Sequence, residues 1–430
     1  MFKVLTLYFV LGAANVLQGL SPLAGHWEGT MLRGSSQLNV SIDLDAKLNR
    51  GTFSATDLGA LDIPLSNLQL GPALHWELVG DTTTTLFDAS ASGNVIRGTF
   101  HENSSYGTFK LHRVSQSVAK PYAVEQTSFE SGGVRLAGSI YVPQSAGKHP
   151  AIVFVHGSGA EGRWATAYLA DYVARHGIIA LSYDKRGVGT STGDWRRASL
   201  QDLAGDARAA VHTLWLRSDV DRTRVGLYGH SQGAEIAPAI AFRNPEVTWL
   251  AAADGPVGPQ YNQDLFRVDT YLRQHYSGQE LISAERVYAE FVDTARNGTS
   301  HDQLRMDIKE YAGSLWLSDL AIPDDNNWIW DWYRKVGNYD NSQAWEAVRV
   351  PVLILFGADD ALVPVQQSIA KTLRLLKRGG NQRVWVRTFP GADHTLRIPP
   401  ATADGWPHNA PGFLDMLITF AANRNLNPRT

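Results

Sequence analysis

The chain has 430 residues, 44% of them apolar and 19% charged, with a formal net charge of −3. That is enough chain for two domains and a large buried core, and the balanced charge, with no basic run, excludes the electrostatic footprint of a nucleic-acid binder. There is no cysteine, which excludes a thiol nucleophile, disulfide staples, cysteine-based zinc sites and a cysteine lipid anchor. No His-Glu-x-x-His and no Walker phosphate loop occur, so no metal and no organic cofactor are expected.

In chain order, residues 1–21 carry the features of an export signal: Lys3, the apolar run Val4 to Leu11, and the small residues Gly12-Ala13-Ala14. The expectation is a periplasmic or secreted protein. The apolar run is too short for a stable membrane span. The sequons at Asn39, Asn103 and Asn297 would matter only in a eukaryotic secretory route.

Residues 22–115 have the texture of an antiparallel β domain. Leu38, Val40, Ile42 and Leu44 alternate with polar residues, a period of two. Further strands are expected at Leu74–Val79, Thr82–Ala89, Val95–Phe100 and Tyr106–Arg113, separated by Gly, Asn and Asp turns. Short strands at this spacing predict a small barrel or sandwich. The opening Gly25-His26-Trp27-Glu28-Gly29 resembles the G-x-W-x-G start of lipocalin-like barrels, in which Trp27 would be a core residue of the barrel floor.

Residues 116–121 read as a linker. After them, Tyr122–Glu130 and Val134–Val142 form an expected hairpin, and strands then alternate with helices: strand Ala151–Val155, helix Trp164–Arg175, strand Ile178–Ser182, helix Ser199–Leu216. Ser199 and Asp202 at its start have the spacing of a capping box, with Asp in place of Glu. The alternation predicts a mostly parallel sheet with helices on both faces. Residues 122–255 make its first part and 346–430 its second.

Between them, residues 256–345 break the rhythm. Helices are expected at Leu265–Tyr276, Leu281–Ala295, Gln303–Leu315 and Trp328–Val336, an inserted helical cap. Trp316, Trp328, Trp330 and Trp332 are candidates to line an acyl or aryl pocket; the competing use is the cap's own core.

Chemistry enters at the strand ends. The apolar Val225-Gly226-Leu227-Tyr228 runs into Gly229-His230-Ser231-Gln232-Gly233 and a following helix, the strand–turn–helix setting of a nucleophile elbow. A serine hydroxyl needs a base to take its proton and a third group to orient that base. The strand Val350–Phe356 ends in Gly357-Ala358-Asp359-Asp360, where Asp360 is favoured as the acid and Asp359 as a turn residue. The next strand, Gln382–Phe389, leads to His394, the expected base. The first strand, Ala151–Val155, ends in His156-Gly157-Ser158-Gly159; the N–H groups of Ser158 and Gln232 are the expected oxyanion donors, with His156 bridging loops by hydrogen bonds.

These segments, together with Tyr183-Asp184-Lys185-Arg186-Gly187-Val188-Gly189-Thr190-Ser191, resemble an α/β-hydrolase of the serine esterase type, similar to the dienelactone-hydrolase-like and prolyl-oligopeptidase-like branches, over roughly residues 120–425. Dienelactone hydrolases proper use a cysteine, which this chain lacks. The resemblance implies an α/β-hydrolase fold with a helical cap behind a small β-barrel, a triad of Ser231, Asp360 and His394, a small-molecule ester as partner, and a supporting role for the Asp184–Gly187 loop. Thioester and small-peptide hydrolysis use the same residues and stay open, as does a non-catalytic ligand-binding role.

Overall fold

The computed structural model describes residues 23–80, 83–115 and 119–423. The expected export signal at 1–21 lies outside them. The chain divides into two compact units, residues 1–119 with 400–408, and residues 120–399 with 409–430.

The first unit is a nine-stranded antiparallel sheet: β1 (Gly25–Arg33), β2 (Ser36–Asp45), β3 (Arg50–Ala55), β4 (Ala60–Pro64), β5 (Ser66–Leu70), β6 (Leu74–Val79), β7 (Thr84–Ser92), β8 (Val95–Glu102) and β9 (Ser105–Val114). Its order is β4-β3-β2-β1-β9-β8-β7-β6-β5, so β1 pairs with β9 and the two ends are consecutive strands: a barrel closed except at the β4–β5 junction. The period-two pattern places Leu38, Val40, Ile42 and Leu44 inside. Trp27 is fully buried, its Nε1 donating to the Leu23 carbonyl at 3.1 Å. Trp76, Phe87, Phe100 and Phe109 fill the remaining interior, with Trp76 stacked on Phe87 at 5.3 Å.

The sequence division assigned 346–430 wholly to the second part of the sheet domain, but residues 400–408 join the barrel unit. Arg33 holds them: its Nη2 donates to the Gly405 carbonyl at 2.5 Å and its guanidinium lies 3.9 Å over the Trp406 ring. Such long-range pairing has no local sequence signal.

The second unit is built on an eight-stranded sheet: β10 (Tyr122–Ser131), β11 (Val134–Pro143), β12 (His149–Val155), β13 (Ile179–Tyr183), β14 (Val220–His230), β15 (Trp249–Ala253), β16 (Val352–Gly357) and β17 (Val384–Phe389). The order is β10-β11-β13-β12-β14-β15-β16-β17, antiparallel through β13 and parallel from there on. The central strands are covered on both faces, which is why β12, β15 and β16 are buried along their whole length. Along β12, Ala151, Val153 and Val155 enter one core with helices Leu200–Trp215, Gln232–Ala241 and Val365–Arg378. Ile152 and Phe154 enter the other, with helices Ala167–Arg175 and Phe413–Asn423. The helix from Leu200 opens on the expected capping box, Ser199 and Asp202 each bonding the other's backbone N–H.

Between β15 and β16 the described chain forms six helices, Gln260–His275, Gly278–Asn297, Asp302–Glu310, Leu315–Asp319, Trp328–Val336 and Ser342–Ala347. The helix expected at 303–315 ends at Glu310, short of the turn in which Gly313 sits at φ +95°, and a separate short helix starts at Leu315. Val287, Phe291, Trp316, Trp330 and Tyr333 give this cap a core of its own. Among the described residues no helix is long and apolar enough to cross a membrane.

Candidate active site

β14 rises out of the sheet, turns at Ser231 and descends as helix Gln232–Ala241. The turn is so tight that Ser231 sits at φ 53°, ψ −118°, a region an L-residue occupies only under local compulsion. The flanking glycines make it possible. A Cβ on Gly233 would stand 2.2 Å from the Val155 carbonyl oxygen, and one on Gly229 would stand 2.3 Å from the Gly233 oxygen. The Ser231 N–H donates to the Ala253 carbonyl of β15 at 2.9 Å, which fixes the turn against its neighbour strand.

Three residues from separate strand ends meet here. His394, in the loop after β17, has Nε2 2.9 Å from the Ser231 hydroxyl and Nδ1 2.8 Å from an Asp360 carboxylate oxygen. The other Asp360 oxygen accepts from the N–H groups of Leu362 and Val363, at 2.7 and 3.0 Å, so the carboxylate is locked from behind. Asp360 is buried, whereas Asp359 faces solvent and is held through its own backbone, its N–H on the Ala392 carbonyl. A hydroxyl, an imidazole and a carboxylate in this line can move one proton off the serine oxygen.

The loop after β12 brings its backbone alongside. The Gly157 N–H is taken by Glu161, 2.7 Å from a carboxylate oxygen. Among the described residues no acceptor faces the N–H of Ser158, and that of Gln232, in the first turn of its helix, has no intrahelical acceptor. Lys185 ties both places together. Fully buried, its ammonium donates to the carbonyls of Gly157 and Gly159 at 2.5 and 3.0 Å and to the Gln232 side-chain oxygen at 3.4 Å. The rest of its loop is scaffold, as expected: Asp184 pairs with Arg163 at 2.7 Å and Arg186 with Asp206 at 2.6 Å.

His156 departs from expectation. Its Nε2 makes no hydrogen bond among the described residues, and its ring packs on Tyr183 at 4.7 Å. Burial, reinforced by the Lys185 charge, holds it well below the usual imidazole range. It is a neutral packing residue rather than a bridge between loops.

Two contributors escaped the sequence reading. His230 Nε2 donates to the His394 backbone carbonyl at 2.8 Å, anchoring the loop that carries the imidazole. Burial, then the His394 charge, push His230 down to about 4. Asp254, fully buried at φ 51°, accepts from the Gly357 N–H at 2.8 Å and stands beside Asp360. Burial, then the Asp360 charge, hold it well above the usual carboxylate range. Asp254, Asp360 and His394 offer ligand atoms within 4.8 Å of one another, a spacing a metal ion could use. The hydrogen bonds of Asp360 and the neutral form favoured at Asp254 instead suit a proton-holding cluster.

Of the tryptophans proposed for a pocket, two belong to the cap's own core. Trp316 and Trp330 are buried in the cap's core, Trp330 donating to the Asp324 carbonyl at 2.9 Å and stacking on His301. Trp332 packs edge-on to Tyr333, and the exposed Trp328 packs against Trp195. Trp316 and Trp330 serve to bury the cap's own apolar faces, whereas Trp328 reaches a ring that stands 5.8 Å from the Lys185 ammonium.

Residues 152–404 match the family model described as the alpha/beta hydrolase family. An uncharacterized protein of Mycobacterium tuberculosis is 38% identical over 113 residues, 26% of this chain and 39% of that protein. Esterase EstD of Thermotoga maritima is 32% identical over 153 residues, 33% of this chain and 37% of that protein. The chain thus spans well under half the length of these two relatives. Among solved structures, the Pyrococcus furiosus esterase aligns at 16% identity with a TM-score of 0.43, covering 66% of this chain and 88% of that one.

Proposed function

The chain belongs to the alpha/beta hydrolase family, and on that premise we propose that it is a serine hydrolase cleaving carboxylic esters of small to medium, apolar acyl groups through an acyl-enzyme. The observation that carries this reading is the unbroken line from the Ser231 hydroxyl through His394 to Asp360, at 2.9 and 2.8 Å. The likeness to an esterase from Thermotoga maritima supports the ester class.

In the proposed reaction His394 Nε2 takes the Ser231 proton as the oxygen attacks the carbonyl carbon. Asp360 holds the Nδ1–H, fixing the tautomer and balancing the imidazolium. The Ser158 and Gln232 N–H groups receive the oxyanion, each such donor being worth about 3–4 kcal/mol of transition-state stabilisation. Collapse breaks the ester C–O bond, and His394 returns its proton to the leaving alcohol. Water, deprotonated by the same imidazole, then attacks the acyl-enzyme and releases the carboxylic acid. Thioesters and activated amides would enter by the same steps, so a substrate panel assigns the class. An N-terminal export signal fits this role as a further proposal.

The test is turnover of p-nitrophenyl butyrate by the native protein and by Ser231→Ala, with far-UV circular dichroism as the control for folding. We expect the variant to lose at least about a thousandfold in kcat and to lose labelling by a fluorophosphonate. A folded variant that keeps its turnover overturns the reading.

A further inference from the structure

A cavity of about 940 Å³ lies between the cap helices Gln260–His275 and Gly278–Asn297 and the core helix Val365–Arg378. It is at the upper end of the range for small-molecule sites. None of Ser231, Asp360 and His394 lines it, so the proposed reaction gives it no task. Most of its wall is apolar, with Val257, Leu265, Phe266, Leu272 and Tyr288 contributing.

Its charges are asymmetrically compensated. On the cap side, Asp269 and Glu285 both face the Arg273 guanidinium, at 2.9 and 2.6 Å. On the core side, Lys371 and Arg374 stand one helical turn apart on a single face. Among the described residues neither has an acidic partner. The position of Lys371 is specific. Its ammonium reaches to the segment that joins β15 to the cap, so close to Gly258 that a Cβ there would stand 2.3 Å from Nζ. Gly258 sits at φ +118°, and its N–H is bound by the Asn341 side chain at 2.9 Å. The lysine therefore ends over a rigid stretch of backbone at the cavity wall, on a half-buried stem.

A cavity with an apolar stretch of wall and two cations without acidic partners beside it, Lys371 half-buried and Arg374 exposed, selects for an amphipathic anion. A neutral lipid would leave the cations unpaired, and a cationic amphipath would meet Lys371 and Arg374 while its acidic partners are already engaged by Arg273. We propose that this cavity binds a medium-chain monocarboxylate, its head group on Lys371 and Arg374 and its alkyl chain along Leu265, Phe266 and Leu272. The site is independent of turnover, and its failure would leave the proposed hydrolase reading untouched.

The experiment is calorimetric titration of the full chain with decanoate, decanol and decyltrimethylammonium. The expected result is saturable 1:1 binding of decanoate, at least tenfold tighter than either analogue. The double variant Lys371→Met/Arg374→Met should weaken decanoate at least tenfold and leave decanol unchanged, while Lys371→Arg/Arg374→Lys should retain binding. Decanoate should also still bind when Ser231 is replaced by a bulky tryptophan that fills the reaction site. No binding, equal binding of decanol, an unaffected methionine variant, or loss of binding in Ser231→Trp with the fold intact would each overturn the assignment.

Discussion

Glu235 offers a direct measurement of how strongly this core rejects charge. It lies one turn beyond Ser231 on helix Gln232–Ala241, is 1% exposed, and one of its carboxyl oxygens has no hydrogen-bond partner among the described residues. Burial, and secondarily the charge of Asp264, raise its carboxyl from 4.5 to about 8. Because the folded value is the raised one, the folded chain holds this proton to higher pH than the unfolded chain does. The contribution of this group to stability is therefore complete below pH 4.5 and falls as pH climbs toward 8. Between pH 5 and 8 the loss from this one group is about 3.5 kcal/mol, since the full slope of about 1.4 kcal/mol per unit is only partly reached at the two ends of that window. Glu235→Gln removes the titration while keeping the shape. Its absolute stability is a poor readout, since a buried amide adds donors that also want partners. The difference in slope is the useful quantity, because Asp254 and Asp264 titrate in both proteins and largely cancel. Urea denaturation at pH 5 and pH 8 should show the native protein losing about 3.5 kcal/mol more than the variant. Equal losses in the two proteins would refute the account of a neutral, buried Glu235.

Two further substitutions probe the supports of the site. Arg186→Ala leaves Asp206, whose side chain is 2% exposed, as an uncompensated buried charge, and should cost about 3–5 kcal/mol in chemical denaturation. Lys185→Met frees the loop that carries Ser158 and should lower kcat on p-nitrophenyl butyrate by about ten- to a hundredfold with KM changed little, while Lys185→Arg should recover part of the loss. An equal rise in KM with kcat unmoved would place the lysine's effect in binding instead.

The parts of this fold that sequence makes legible are those whose pattern is local. β12 and β16 are buried along their whole length and β14 over its second half, so each offers an apolar run, and the turn after each must carry the residues that strand ends present. Ser199 and Asp202 announce a helix start for the same reason. The barrel was only partly readable. β2 alternates cleanly, but β3, β4 and β5 are five or six residues long and mix Gly, Asn and Pro with few apolar positions, too short for a period to register. The first cap helix begins at Gln260 rather than near Leu265 because its first turns, Gln-Tyr-Asn-Gln-Asp, lack an apolar stripe. Asp254 and His230 could not be assigned from sequence. Each looks like a residue in a turn, and each takes its role from a loop more than a hundred residues away. The tryptophans show the same gap from the other side: aromatic content names what is available to bury, and only the packing of the cap decides whether it faces a ligand or itself.

The neighbours of His394 share a property that bears on the proposed proton transfer. As the hydroxyl proton moves to Nε2, a positive charge appears on the imidazole, and any second cation nearby opposes it. His230 is the nearest candidate, its ring 5.1 Å from that of His394. Burial holds it at about 4, so near neutrality it is uncharged and yet keeps the N–H that anchors the His394 carbonyl. Asp254 works on the other side. A second ionised carboxylate beside Asp360 would be repelled, and burial raises Asp254 so that it keeps its proton instead. The fold thereby leaves one carboxylate facing one imidazole, while the Lys185 cation is engaged by the Gly157 and Gly159 carbonyls. Burial of three polar groups is costly to the stability of the sheet rim, and the separation of charge it produces is the physical reason for tolerating that cost at this site.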